Sequence, residues 1–255
     1  MKIAIAQLTP RLGDKKYNLK RIEDAARVAA SNLVVFPEMF TTGYMLSKKE
    51  LNKLAEPIDN RTTQNLTEIS KKFNCILVVG MPEKLNNKIF NTTAVIGPSG
   101  LITKYQKIHL FLKEKKIFSP GETGPTLFKW KDVQIGLGIC YDYMFPEYWR
   151  KLALQGAQIF INPANFIFQY GFYMMRARAI ENGVFSICVN RTGTERGQKF
   201  FGGSEIIDNR GNILYEAGDD EVVKVISINP KKSNNKRWNK YNNLFLDRRP
   251  EMYKT

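Results

Sequence analysis

The chain has 255 residues, 43% of them apolar and 12% aromatic, enough to bury the core of an α/β domain of this size. Three cysteines, Cys75, Cys140 and Cys188, are too few and too oddly numbered for a disulfide framework, and with one histidine the usual zinc and iron sites lack ligands. No apolar stretch reaches the ~20 residues of a membrane-spanning helix. Gln7, Thr9, Arg11 and Asp14 break the amino-terminal apolar stretch too early for a signal peptide, so a cytoplasmic, reducing location is expected. The formal charge of +15 admits two readings, a solvated basic surface or a surface for nucleic acid, anionic membrane or acidic substrates. The densest basic run, 231–240 with Trp238 and Tyr241 close by, is where a nucleic-acid reading would be anchored.

In chain order, residues 2–6 read as a strand, 18–30 as an amphipathic helix and 33–36 as a short buried strand stopped by Pro37, a βαβ opening. Helical periodicity returns at 62–73 and an extended pattern at 75–79. Strands at 91–96 and 101–105 flank Gly97-Pro98-Ser99-Gly100, a hairpin connection. The second half repeats the logic with a strand at 133–139, a helix from about 146 to 155, a strand at 159–162, a helix around 172–182 and a strand at 184–190. Strands at 204–207, 213–215 and 222–226 follow. Strands apolar on both faces need cover on each side, which predicts helices outside packed mixed sheets. With no repeat, low-complexity stretch or linker, residues 1–255 read as one domain.

Three segments carry chemistry. In Gly136-Leu137-Gly138-Ile139-Cys140-Tyr141-Asp142 an apolar strand delivers a cysteine to its carboxyl end, and Pro146 and Glu147 suit the first turn of the following helix. Such an elbow exposes a nucleophile beside backbone N–H groups. Core packing is the other reading of a strand-end cysteine, and it is the one that fits Cys75 and Cys188. Phe36-Pro37-Glu38-Met39-Phe40 ends a strand on a carboxylate among bulky apolar residues, where desolvation suits it to general-base work; a helix cap or a solvated acid is the alternative. Lys107, in Tyr105-Gln106-Lys107-Ile108-His109-Leu110, can set a fixed positive charge against an oxyanion or sit in solvent. His109, two residues on, projects to the same face if the segment is extended, and is either a pocket-wall residue or a rival partner for the thiol.

Taken in order, these segments together with Ile3-Ala4-Ile5-Ala6-Gln7, Asn162-Pro163-Ala164-Asn165, Arg176-Ala177-Arg178-Ala179-Ile180-Glu181-Asn182, Asn190-Arg191-Thr192-Gly193 and Gly202-Gly203-Ser204 resemble the nitrilase superfamily of carbon–nitrogen hydrolases over almost the whole chain. The resemblance implies a four-layer α-β-β-α sandwich with two mixed sheets. It makes Glu38 the general base, Lys107 the oxyanion stabiliser and Cys140 the nucleophile. Glu114 matches a second pocket glutamate, its other reading being a surface acid. Hydrolysis of a small amide through a thioester is implied, with no metal or organic cofactor; N-carbamoyl amines and nitriles are alternative substrates of the same superfamily. Tyr44, Tyr141, Phe145, Asn165, Phe166 and Phe172 are the expected pocket walls. Two positions depart from common patterns: Met144 stands where many ω-amidase-like members carry arginine, and Phe166 where tryptophan is frequent. A homodimer or higher homo-oligomer is implied, with residues 231–255 as a carboxyl-terminal arm. A basic nucleic-acid-binding or interaction protein is the alternative of another class.

Overall fold

The computed structural model describes residues 1–30 and 32–253. The first half runs β1 (Lys2–Gln7), α1 (Lys15–Val28), β2 (Leu33–Val35), α2 (Lys48–Leu54), α3 (Arg61–Phe73), β3 (Ile76–Leu85), β4 (Lys88–Gly97), β5 (Gly100–Gln106) and the short α4 (Glu114–Ile117). The second half runs β6 (Thr126–Trp130), β7 (Val133–Leu137), a 3₁₀ segment (Cys140–Met144), α5 (Pro146–Leu154), β8 (Ile159–Pro163), α6 (Tyr170–Asn182) and β9 (Phe185–Val189). It ends with the hairpin β10 (Thr192–Glu195) and β11 (Gln198–Phe201), then β12 (Glu205–Ile207), β13 (Ile213–Glu216) and β14 (Val222–Ser227).

Two six-stranded mixed sheets result, in the orders β14-β1-β2-β3-β4-β5 and β13-β12-β9-β8-β7-β6. The two-residue period of a strand sorts their faces. Ile3, Ile5, Leu33, Val35, Ile76 and Val78 point inward and join Ile135, Leu137, Ile159, Ile161 and Ile187 of the other sheet in one core. The alternate residues Ala4, Ala6, Val34, Leu77 and Val79 point outward, to be covered by Ile22, Ala25 and Ala26 of α1 and Leu66 of α3. Trp149 and Leu152 of α5 and Met175 of α6 cover the outer face of the second sheet. This is the expected α-β-β-α sandwich. Each fully buried aliphatic side chain contributes roughly 1.5–3 kcal/mol relative to exposure. Gly138 allows α5 to approach β7, since a Cβ there would lie 2.4 Å from the Trp149 ring.

The structure moves several element boundaries, for local reasons. Helix α1 starts at Lys15 because the Asp14 side chain caps it, accepting the Tyr17 N–H at 2.9 Å. Strand β3 runs well beyond Val79 to Leu85 and returns as β4 through Asn86 and Asn87, both at positive φ, which asparagine tolerates in tight hairpins. Pro82 is accommodated because β2 pairs with β3 only at Ile76–Val78, so Pro82 lies beyond that neighbour. Strand β6 and the β10–β11 hairpin are additions to the expected set.

The basic run near the carboxyl end is partly engaged by the fold. Lys236 Nζ donates to the carbonyls of Asn182 and Gly183 at 2.9 and 3.1 Å, placing a cation at the carboxyl end of α6. Burial, with Arg150 nearby, lowers its pKa to about 8. Tyr241 and Leu246 remain exposed on the same segment. No helix among the described residues is long and apolar enough to cross a membrane.

One buried acid makes the fold sensitive to alkali. Glu205, on β12, is 5% exposed, and its Oε1 has no hydrogen-bond partner among the described residues. Burial and the nearby Glu216 raise its pKa to about 8, with Arg176 opposing. The folded chain therefore keeps this proton up to about pH 8, whereas the unfolded chain releases it near the ordinary value of 4.5. Its stabilising contribution is complete below the ordinary value and is lost as pH rises to about 8. Glu205→Gln is expected to stabilise the protein by roughly 5 kcal/mol above that pH and to have little effect in acid. Thermal melts of both proteins across pH will check this; an unchanged difference at all pH values contradicts it.

Candidate active site

Strand ends assemble the site. Glu38 follows β2, Lys107 follows β5, Cys140 follows β7 and Asn165 follows β8, so all four sit where strands terminate at one edge of the paired sheets. Glu38 is 1% exposed, Lys107 fully buried, Glu114 3% and Cys140 6%. Lys107 Nζ lies 2.7 Å from Glu38 Oε1 and 2.9 Å from Glu114 Oε2, so one ammonium bridges two buried carboxylates. Glu114 is therefore no surface acid. It opens α4, and its Oε2 also accepts the Phe111 N–H at 2.7 Å, which closes the turn that turns it inward.

Two backbone positions hold this geometry in place. Met39 and Cys140 adopt φ of +56° and +46°, a region costly for residues with a Cβ and maintained only where the surroundings over-determine it. Gly80 makes the first possible, because a Cβ there would lie 2.2 Å from the Met39 nitrogen. Asp142 maintains the second. Its carboxylate accepts from the Ile139 N–H at 2.8 Å and the Tyr105 hydroxyl at 2.9 Å, and lies 2.7 Å from His109 Nδ1. Tyr105 and His109 flank Lys107, so Asp142 ties the lysine segment to the cysteine turn. Arg178 on α6 donates to the Tyr143 carbonyl at 3.1 Å and supports the same turn from outside.

The electrostatics follow from burial and from the three charges. Burial pushes Glu38 above the ordinary carboxylate value; Lys107 opposes this and Glu114 adds to it. Burial disfavours the Lys107 ammonium, yet Glu114 and Glu38 outweigh it and hold the lysine well above its ordinary value, firmly protonated. Cys140 is pushed well up by burial and by Glu38, with Lys107 and the Asn165 backbone N–H pulling the other way. Cys140 is thus a neutral thiol in the field of a buried carboxylate and a fixed cation.

The expected pocket residues divide. Cys140, Tyr141, Asn165 and Phe166 line a tight cleft together with Phe111, Tyr143 and Tyr170. The Tyr44 phenol is raised well above its ordinary value by burial and by Glu114, Glu38 and Cys140, which places its hydroxyl in the field of the same charges. Glu195 anchors that loop, accepting the Tyr44 N–H at 2.9 Å, and is itself paired with the buried Arg191. Phe145 stacks on the His109 ring at 3.6 Å and meets Tyr141 edge-on at 5.5 Å. Phe172 stands behind Phe166, ring centroids 5.1 Å apart, and borders a separate cleft with Arg176 and Glu205. Met144 is exposed. His109 and Lys107 do not share a face as an extended segment predicts, because β5 ends at Gln106 and the two side chains reach different carboxylates.

Sequence reasoning overlooked Asn91 and gave Asp142 no role. Asn91 Nδ2 donates to Glu38 Oε1 at 2.7 Å and to Glu114 Oε1 at 3.1 Å, a neutral bridge beside the charged one. Its only signal was the polar trio Asn91-Thr92-Thr93 inside an otherwise apolar strand. Several other motifs serve as stitching. Ser204 Oγ and the Asn190 backbone bond to each other, Asn190 Oδ1 accepts the Phe166 N–H at 2.7 Å, and Gln7 Oε1 accepts the Ser204 N–H at 2.9 Å.

A sandwich of two mixed sheets thus brings together a buried thiol, a buried lysine and two buried glutamates. A profile of the carbon-nitrogen hydrolase family matches residues 2–234. A nitrilase of Pyrococcus abyssi is 38% identical over 260 residues, covering 99% of both chains. An (R)-stereoselective amidase of Pseudomonas sp. is 37% identical over 234 residues, 89% of this chain and 85% of that one. Among solved structures, a variant of the amidase from Nesterenkonia sp. AN1, with acrylamide added at its active-site cysteine, superposes with a TM-score of 0.83 at 28% identity, covering 99% and 98%. The chain belongs to the carbon–nitrogen hydrolase family and is an enzyme that hydrolyses carbon–nitrogen bonds other than peptide bonds.

Proposed function

We propose that this enzyme hydrolyses a small amide through a thioester on Cys140, with Glu38 as general base and acid, Lys107 as oxyanion stabiliser and Glu114 as the residue that positions Lys107. The carrying observation is a fully buried ammonium bridging two buried carboxylates beside a buried thiol. Placing three ionisable groups together out of water carries a desolvation cost of several kcal/mol per ion, an arrangement whose use is charge held ready for a reaction.

Glu38 takes the thiol proton as the sulfur adds to the amide carbonyl carbon. The resulting oxyanion rests against the Lys107 ammonium and the Tyr141 N–H, which lies in the first turn of the 3₁₀ segment, where N–H groups lack intrahelical partners. Glu38 then returns the proton to the amide nitrogen, the C–N bond breaks and ammonia or an amine leaves. Water gives a proton to Glu38 and adds to the thioester; collapse releases the acid and restores the thiol. Preorganised charge of this kind contributes about 10²–10³ in rate per donor.

The tight aromatic cleft over Cys140 favours small, partly apolar acyl groups. Met144 offers no charge to a substrate carboxylate, so a monocarboxylic amide suits the site better than the half-amide of a dicarboxylate. Primary amides are preferred to nitriles and N-carbamoyl amines on the same ground as the relatives named amidase. The chain acts in the cytoplasm as one domain and as a homodimer, with the exposed Tyr241 and Leu246 of its carboxyl-terminal arm as contacts. Ammonia release from a panel of aliphatic amides, ω-amides, N-carbamoyl amines and nitriles tests the substrate class. Short aliphatic amides are expected to lead by at least tenfold in kcat/KM; a nitrile in first place contradicts the assignment.

A further inference from the structure

Asn165 carries an oxygen whose use the triad does not explain. Its Nδ2 donates to the Glu38 backbone carbonyl at 3.0 Å and to Glu38 Oε2 at 3.2 Å. A carbonyl oxygen only accepts, so the orientation of the side-chain amide is fixed with nitrogen toward Glu38 and Oδ1 turned away from it. That Oδ1 is buried and has no hydrogen-bond partner among the described residues, on a residue only 5% exposed. An acceptor left in that condition costs about 1–3 kcal/mol. Other buried atoms share the condition, but of their residues Asn165 is the one that lines the cleft over Cys140. Its backbone N–H also acts on the Cys140 thiol. A single residue therefore holds the base, faces the nucleophile and has an acceptor to spare.

We propose that Asn165 Oδ1 accepts a hydrogen bond from an N–H of the scissile amide nitrogen, making Asn165 the residue that selects leaving groups carrying N–H over ester oxygens, nitriles and fully substituted amides. This rests on the thioester reading of the site. When the sulfur adds to the carbonyl carbon, the nitrogen becomes pyramidal and gains a basic lone pair. An N–H held at Asn165 turns that lone pair toward Glu38, which the same side chain grips through its nitrogen. The proton passes from Glu38 to this lone pair, the C–N bond breaks and the amine departs. An ester oxygen has no N–H to offer and leaves Oδ1 unpaired, the situation in which a site built for hydrogen bonding discriminates most strongly.

The test compares the primary amide and the methyl ester of one short acyl group, as a ratio of kcat/KM, in the wild type, Asn165→Ala and Asn165→Asp. Differences in intrinsic reactivity cancel between proteins. Asn165→Ala removes donor and acceptor, and its amide-to-ester ratio is expected to fall at least tenfold below the wild type. Asn165→Asp loses the donor to Glu38 but keeps an acceptor; both substrates slow together and the ratio stays within about threefold. An unchanged ratio in Asn165→Ala, or a collapsed ratio in Asn165→Asp, overturns the role of Oδ1 while leaving the thioester reading intact. A wild-type enzyme that hydrolyses no amide and leaves Cys140 unacylated by either substrate overturns both. If one variant fails to fold, the other decides on its own ratio.

Discussion

Turnover is expected to fall by about 10⁴-fold or more in Cys140→Ala, with folding undisturbed. The thiol is small and nearly buried, and alanine fills most of its space, so no cavity of consequence forms. The substitution also removes a group whose pKa burial and Glu38 raise, so the carboxylate–lysine cluster keeps its partners. Steady-state kinetics alongside circular dichroism and a thermal melt separate the two effects. Cys75→Ala and Cys188→Ala serve as contrasts. Both residues pack in the core, and their replacement should affect stability rather than the reaction. The pH profile of the wild type belongs to the same account. Because burial raises Glu38, the acid limb of kcat/KM should lie above the ordinary carboxylate range, activity rising as Glu38 ionises.

Lys107→Ala is expected to damage both activity and fold. Activity falls about 10²–10³-fold or more, since the fixed cation facing the oxyanion is gone. Stability falls by roughly 3–5 kcal/mol, the cost of leaving buried carboxylates without their counter-ion. Glu38, Glu114 and Asn91 remain packed around an empty position, and one carboxylate must take up a proton. A triple variant separates the two losses. Lys107→Met with Glu38→Gln and Glu114→Gln removes every charge from the cluster, so it should recover most of the stability and none of the turnover. Denaturant melts and kinetics on both proteins measure this. Lys107→Ala as stable as the wild type contradicts the buried bridge, and substantial activity in the triple variant contradicts its role in the reaction.

The short apolar runs of β1 to β3, and the placement of Glu38, Lys107 and Cys140 at strand ends, were readable in the sequence because apolar patterning and strand punctuation are local signals. Their convergence was not readable from spacing, since 69 residues separate Glu38 from Lys107. Only the resemblance to a known family brought them together. Asn91 escaped because a buried asparagine in a strand looks like a pairing irregularity until the carboxylates it bridges are in place. Asp142 escaped for a related reason: its partners are Tyr105, on β5 of the other sheet, and His109, just beyond the end of that strand. His109 was misplaced by assuming that β5 continues, when the chain leaves the strand at Gln106 and Lys107 turns into the core. Glu114 could be read two ways from its lysine-rich surroundings, and the short helix that buries it has too few residues to leave a periodic signature. Phe172 was expected as a pocket wall, but α6 carries it behind Phe166.

The thioester is the central claim, and it leaves a mass. Rapid mixing of the wild-type enzyme with a short primary amide, acid quenching within one turnover and mass analysis of the peptides should find the acyl group, without its nitrogen, on the peptide containing Cys140. An acyl group on Cys75 or Cys188, or ammonia released by Cys140→Ala at the wild-type rate, contradicts it.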